Sequence, residues 1–366
     1  MEIRNVPLIN DPPVFLSETE MLEFLSSLYK QFSGTDCTAI TRMKGDASAR
    51  SIYRIFSSEG KTVVGVYGPH PEENRAFRAF TQTFSQLALP VPVLLHTDRA
   101  GNGYLLEDLG DETLFLRVTK LRRENHGVFP IEQIASLYRE AVEQLVRFQT
   151  EVDLEPLRQF CYQGDIFEQA AWHRDHLYFI DSFAGLLLPD QLDRDTLELE
   201  LSNHRLLLSS YSRGYFLYRD FQSRNIMVTP NGLRFLDYQS GREGSPVYDI
   251  ASLLFDARAD LPEAFRRELQ EQHCEIFSHR TGMKPDLLRD AFAPYALLRI
   301  LQALGSYGNN GIRQRKPGYA DSIPFGLRNA LSVIQSDQRL QKFRCLRDTL
   351  TLIAEQKLWE RHVQPA

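Results

Sequence analysis

The sequence predicts an α+β chain, with an antiparallel sheet in its N-terminal part and a mainly helical C-terminal part. Three observations carry this. Between residues 38 and 107, β-branched and aromatic runs follow one another across short polar connections, which favours antiparallel neighbours over crossovers. From residue 131 onward, apolar residues recur at three- and four-residue steps, the period of a helix buried along one face. A hairpin signature interrupts the helical part at 226–236, where two apolar runs flank Pro230-Asn231-Gly232 and Asn231-Gly232 can take the positive φ angles of a tight reversal. With 366 residues the chain is long enough for two lobes, expected at 1–107 and 108–366.

The first helix starts behind Ser17. Ser17 and Glu20 form a capping box, Leu16 staples to Met21, and Leu22, Leu25, Leu28 and Tyr29 keep helical spacing up to Gly34. Strands are expected at 38–43, 51–56 and 62–67, with residues 44–50 between the first two and Ser57-Ser58-Glu59-Gly60 between the last two. A helix at 72–87 lines up Phe77, Phe80, Phe84 and Leu87 as a core stripe. Strands at 91–96 and 104–107 end the sheet, and Glu107-Asp108-Leu109-Gly110 reads as the turn leading out of it. Behind Pro130, residues Ile131, Ile134, Leu137, Tyr138, Ala141, Leu145 and Phe148 trace one face of a long helix. The segment 167–179 mixes aromatic and ionisable residues, and its His173 and His176 lack a third ligand at metal-binding spacing. Further helices are expected at 250–255, 262–280, 284–302 and 337–361. The glycines and asparagines of 304–311 predict a loop, followed at 313–317 by a basic run that could meet a ligand carboxylate but is expected to be solvated.

Composition narrows the function classes. The net charge is −6, with 42 Lys plus Arg dispersed among 48 Asp plus Glu, so no global field invites nucleic acid or an anionic membrane. Cys37, Cys161, Cys274 and Cys345 form no C-x-x-C and fit a reducing compartment. No apolar run reaches the length of a membrane span, and the first fifteen residues lack the apolar core of a signal peptide, so the cytoplasm is the expected location.

The stretch 215–239, YFLYRDFQSRNIMVTPNGLRFLDYQ, carries the chemistry. Its hairpin places Asp220, Asn225 and Asp237 at one end of a small sheet. Phosphoryl transfer asks for such a set: a carboxylate that orients an acceptor hydroxyl, and hard oxygen ligands for Mg²⁺. The spacing resembles the catalytic loop and metal-binding aspartate of the protein-kinase-like phosphotransferases, with Tyr218-Arg219-Asp220 in place of His-Arg-Asp and Asp237-Tyr238-Gln239 in place of Asp-Phe-Gly. The strings GDASARSIYRI and YRDFQSRNIM, with FLDYQSGREGSPVYDIASLL, resemble more specifically the aminoglycoside phosphotransferase and choline kinase-like family. Within it they are most similar to the bacterial kinases of the anomeric hydroxyl of N-acetylmuramate and N-acetylglucosamine.

That resemblance implies a two-lobed protein-kinase-like fold, ATP and Mg²⁺ as cofactors, and a small-molecule sugar as acceptor. It implies Asp220 as the acceptor base with Arg219 beside it, and Asn225 and Asp237 as metal ligands. Gly45, Ser48 and Arg50 would meet the nucleotide phosphates, and the backbone around Glu107 and Leu109 the adenine edge. Asp175, Trp172, Gln222 and Arg224 would contact the acceptor. Asp249 would brace the catalytic loop through its backbone or through Arg219. One departure stands out: the strand Val63-Val64-Gly65-Val66-Tyr67 lacks the phosphate-binding lysine of the protein kinases, which leaves Lys44, Arg50 and Arg75 as replacements. The rival readings are an aminoglycoside or other small-alcohol kinase, and a nucleotide-binding regulatory module that no longer turns over.

Overall fold

Ser17 accepts a hydrogen bond from the Glu20 amide while the Glu20 carboxylate accepts from the Ser17 amide at 2.8 Å, so helix α1 (Glu18–Ser33) begins at its capping box and ends at left-handed Gly34. The computed structural model describes residues 15–43, 50–211 and 213–362. After α1 come strands β1 (Ala39–Arg42), β2 (Ser51–Phe56) and β3 (Thr62–Tyr67), helix α2 (Pro71–Gln86), and strands β4 (Leu94–Thr97) and β5 (Gly103–Glu107). They form a five-stranded sheet in the order β1-β2-β3-β5-β4, antiparallel at every step. The two-residue period of the strands sorts their side chains. Tyr67 and Leu105 face α1 with Leu25 and Leu28, whereas Val66, Tyr104 and Leu106 join Phe77, Phe80 and Phe84 of α2 in the main core. β4 begins three residues later than expected because Pro90 and Pro92 have no amide to offer a ladder.

The helical part runs through α3 (Leu114–Glu124), α4 (Ile131–Glu151), α5 (Gln169–Phe179), the short α6 (Gly185–Leu187) and α7 (Arg194–Leu208). Strands β6 (Tyr215–Leu217), β7 (Ile226–Thr229), β8 (Gly232–Phe235) and β9 (Arg242–Gly244) follow, then α8 (Val247–Leu254), α9 (Glu263–Thr281), α10 (Pro285–Ser306), α11 (Ile323–Ser336) and α12 (Arg344–Glu355). Buried Tyr138, Leu145 and Phe148 of α4 join the sheet-side core, and α10 to α12 enclose a second one. No helix among the described residues is long and apolar enough to cross a membrane.

Three expectations need correcting. Residues 304–311 are no loop: α10 continues into a wider helical turn at Tyr307–Arg313. Its glycines serve close packing. A Cβ at Gly305 would lie 2.9 Å from the Tyr178 ring, one at Gly311 2.6 Å from the Ala320 amide, and one at Gly308 against the Ser182 carbonyl. The basic run after them is exposed at Arg313 and Arg315, as expected, while Arg313 also reaches the Asp181 carbonyl at 2.5 Å and half-buried Lys316 reaches Asn310 at 3.1 Å. Second, 337–361 is not one helix, because the Asp337 carboxylate takes the Arg339 amide at 2.8 Å and turns the chain before α12 restarts. Third, the β7–β8 turn has positive φ at Gly232 and not at Asn231, since Pro230 fixes the first turn residue at negative φ.

Buried histidines cross-link the helices. His204 donates from Nε2 to the Pro294 carbonyl at 3.0 Å, so its Nδ1 accepts from His176 Nε2 at 3.2 Å, and His176 Nδ1 accepts from Arg205 at 3.2 Å. His273 donates to Gln149 Oε1 at 3.0 Å. Burial lowers His204 from 6.5 to about 4 and His273 to about 3. A depressed folded pKa contributes stability that is present above 6.5 and lost as pH falls through these values. The pH slope of unfolding free energy between those limits is expected to shrink by about one proton in His273→Gln. Chemical denaturation at a series of pH values measures it, and an unchanged slope contradicts the assignment.

Candidate active site

Strand β6 feeds the loop 218–225, and the β7–β8 hairpin returns the chain to Asp237 beside it. The Leu236 amide donates to the Asn225 carbonyl at 2.9 Å, and the Tyr218 hydroxyl to the Leu236 carbonyl at 2.6 Å. The loop carries backbone strain at two chemically important points, Arg219 with φ 81° and Asp237 with φ 69°. Non-glycine residues adopt this region at a cost, and they keep it only where surrounding contacts over-determine it. Around Arg219, two buried acids, Asp249 in the first turn of α8 and Asp256 just past its end, supply those contacts. Asp249 accepts from the amides of Tyr218 at 2.6 Å and Arg219 at 2.8 Å, and Asp256 accepts from the Ser223 amide at 3.2 Å and from its hydroxyl. Asp249 therefore braces the loop through its backbone, as one expected alternative had it, and not through the Arg219 guanidinium.

Asn225 sits between the other two polar residues of the set. Its Nδ2 donates to the Asp220 carbonyl at 2.8 Å and lies 3.4 Å from Asp237 Oδ2. The Asn225 amide, through its oxygen, and the Asp237 carboxylate would together suit a hard divalent cation that takes its other ligands from phosphate and water. Among the described residues no cluster of three or more His, Cys, Asp or Glu forms a closed protein cage.

The other oxygen of Asp237 is held by a cation. Arg50, just before β2, places Nη2 2.6 Å from Asp237 Oδ1 and Nε 3.4 Å from Glu73 of α2. Gln239 donates to both acids, at 2.9 and 3.2 Å. Although burial opposes its charge, Tyr104, Asp237 and Glu73 hold the Arg50 guanidinium firmly protonated. The arginine–glutamate pair thus stands beside the site where β3 lacks a lysine. Arg75 is exposed on α2, and Lys44, Gly45 and Ser48 lie outside the described residues.

On the opposite side, Asp175 Oδ1 pairs with Arg219 Nη2 at 2.9 Å, and Asp175 Oδ2 is buried with no hydrogen-bond partner among the described residues. The Arg219 guanidinium stacks over Phe167 and Tyr248, 4.5 and 5.1 Å from their ring centroids. Trp172 requires correction as an acceptor contact. It is 0% exposed, packed edge-on against Phe167 and Tyr295, because it lies on the face of α5 that turns into the core. Gln222 and Arg224 are half-buried in the loop itself. Burial raises the Asp220 carboxyl, and the neighbouring Asp237 charge raises it further against the pull of Arg219, Arg299 and Arg242. Burial likewise pushes Asp249 up to about 7, opposed by the two amides it accepts.

The link from β5 is clamped. Arg54 of β2 grips Asp108 in a fork, at 2.6 and 3.0 Å, and reaches Asp111 at 2.9 Å. The Glu107 amide is taken by the Val93 carbonyl at 3.0 Å. Glu73, Arg54 and Asp256 were not singled out from sequence. Only Asp256 left a signal, seven residues beyond Asp249 and two past the end of α8.

The chain is similar in sequence and fold to known kinases. The chain is 24% identical over 284 residues to the N-acetylmuramate/N-acetylglucosamine kinase of Pseudomonas aeruginosa, covering 76% of this chain and 79% of that one. It is 25% identical over 321 residues to the N-acetylmuramate/N-acetylglucosamine kinase of Pseudomonas putida, covering 82% and 86%. Its fold matches that of the Plasmodium vivax ethanolamine kinase with a TM-score of 0.59 at 13% identity, over 90% of this chain and 92% of that one. Residues 39–285 match the profile of the phosphotransferase enzyme family, and the chain belongs to that family, as a kinase acting on a hydroxyl acceptor.

Proposed function

We propose that this phosphotransferase moves the γ-phosphate of ATP, with Mg²⁺, to the anomeric hydroxyl of N-acetylmuramate or N-acetylglucosamine in the cytoplasm. The observation that carries the reading is the convergence of Asp220, Asn225 and Asp237 at the open end of the β7–β8 hairpin, on a loop held in strain by Asp249. The names of the two Pseudomonas relatives support the acceptor. In this reading residues 1–107 form the nucleotide lobe and 108–366 the acceptor lobe.

Asp220 takes the acceptor proton. An anomeric hydroxyl is more acidic than an ordinary alcohol, so a carboxylate whose affinity for protons is raised by burial is a sufficient base. Asn225 and Asp237 hold the metal, which supplies charge neutralisation for the transferring phosphoryl group. The unpartnered Asp175 Oδ2 accepts from a sugar hydroxyl while Arg219 fixes the other oxygen. Gln222 and Arg224, on the same loop, flank the acceptor. Gly45, Ser48 and Arg50 meet the phosphates, and the backbone of Glu107 and Leu109 meets the adenine edge. Arginines surround Asp220, which disfavours a cationic aminoglycoside as acceptor.

Arg50 is expected to bind phosphate in place of the missing strand lysine. A charge-assisted donor to a buried phosphate is worth about 1.5–3 kcal/mol, so Arg50→Ala should weaken ATP roughly ten- to a hundredfold and spare adenosine. Calorimetric titration of both ligands checks this, and an unchanged ATP affinity removes Arg50 from the role. The function itself is tested by ATP consumption with Mg²⁺ and each amino sugar. Turnover that disappears with the 1-O-methyl glycosides supports the reading, and rapid turnover of an amino alcohol with none on the sugars opposes it.

A further inference from the structure

We propose that the Arg299 guanidinium receives a carboxylate of the acceptor, so that the enzyme prefers an acidic amino sugar over its neutral counterpart; this rests on the amino-sugar reading above. Arg299 lies on α10 and is only 7% exposed. Its Nε donates to Ser252 Oγ at 2.8 Å and its Nη1 to Gln302 Oε1 at 2.7 Å, both neutral acceptors. A guanidinium so deeply buried ordinarily has a carboxylate in contact, because an unpaired charge out of water is costly. Among the described residues, none pairs with it.

The neighbouring arginines differ. Arg50 is committed to Asp237 and Glu73, and Arg219 to Asp175. Arg242 has every side-chain nitrogen occupied, Nε on the Ser240 carbonyl at 3.0 Å, Nη1 on the Gln163 carbonyl at 2.9 Å and Nη2 on Gln163 Oε1 at 2.5 Å. Of these four, Arg299 alone keeps Nη2 without an acceptor among the described residues. It is also well placed. Ser252, which anchors it, lies one helical turn beyond Asp249, and the Arg299 charge acts on Asp220, Tyr248 and Tyr307. Arg50 and Glu73 stand on the sheet side of Asp237, whereas Arg299 lies on α10, which packs against α5 and α8, the helices that carry Asp175 and Asp249 on the side assigned to the acceptor. The two sugars named for the relatives form a natural pair of probes, since N-acetylmuramate carries a carboxylate on its lactyl ether and N-acetylglucosamine has none.

The test compares kcat/KM for the two sugars in the full-length wild type and in Arg299→Gln and Arg299→Lys. The expected result is a wild-type preference for N-acetylmuramate, a fall in that preference of roughly ten- to a hundredfold in Arg299→Gln, and partial recovery in Arg299→Lys. A second arm needs no variant: the methyl ester of N-acetylmuramate should lose a similar factor with the wild type. An equal fall on both sugars marks Arg299 as merely structural and overturns the proposal. So does an ester that reacts as well as the acid, or an Arg299→Gln defect confined to ATP affinity. Turnover of both sugars with an unchanged preference sinks this inference alone, whereas turnover of neither by the wild type sinks the amino-sugar reading with it.

Discussion

Asp220→Asn is expected to lower turnover by about 10²–10⁴-fold or more while leaving Mg-nucleotide affinity nearly unchanged. The substitution keeps the side chain's shape and removes its ability to take a proton. It leaves the metal side intact, because Asn225 reaches Asp220 only through the backbone carbonyl, at 2.8 Å. The loop should also keep its form, since its strain at Arg219 is held by Asp249 and its far end by Asp256. Steady-state turnover beside nucleotide titration separates the two quantities. A variant that retains more than about a third of wild-type turnover refutes Asp220 as the base.

Asp237→Ala should abolish the strengthening of nucleotide binding by Mg²⁺. Asp237 is the one carboxylate next to Asn225 in the hairpin site, and an amide oxygen alone is a poor ligand for a metal that is reluctant to shed water. A second consequence follows from Arg50, whose closest carboxylate contact is the 2.6 Å bond to Asp237. Without that acid the guanidinium keeps only Glu73 at 3.4 Å and is more available to a phosphate. Metal-free ATP should therefore bind the variant at least as well as it binds the wild type. Calorimetry with and without Mg²⁺ reads both effects. Equal strengthening by Mg²⁺ in variant and wild type places the metal elsewhere.

The parts of this molecule that sequence made legible are those where local chemistry decides. The capping box at Ser17, the aromatic stripe of α2 and the antiparallel ladder each follow from a pattern within a few residues, and each is present. The hairpin was legible too, although Pro230 moved its positive φ wholly onto Gly232. Long-range packing was not. Gly305, Gly308 and Gly311 look like loop residues until Tyr178, Ser182 and Ala320 are seen pressed against them. The family resemblance implied Trp172 as an acceptor contact, and only its tertiary contacts with Phe167 and Tyr295 show that it packs into the core. The same holds for ion pairs. Arg50 and Asp237 stand far apart in sequence, and so do Arg219 and Asp175; each pair exists because the sheet and α5 are folded against the hairpin loop.

The position of the transferred phosphate tests the central claim most directly. Incubating the protein with ATP, Mg²⁺ and N-acetylglucosamine or N-acetylmuramate, and reading the phosphorus–proton coupling of the product by NMR, assigns that position. Asp220 as base to an anomeric hydroxyl, with Asp175 holding the rest of the ring, predicts coupling of phosphorus to the C1 proton alone. A phosphate coupled to the C6 protons, or equal turnover of the 1-O-methyl glycoside, contradicts it.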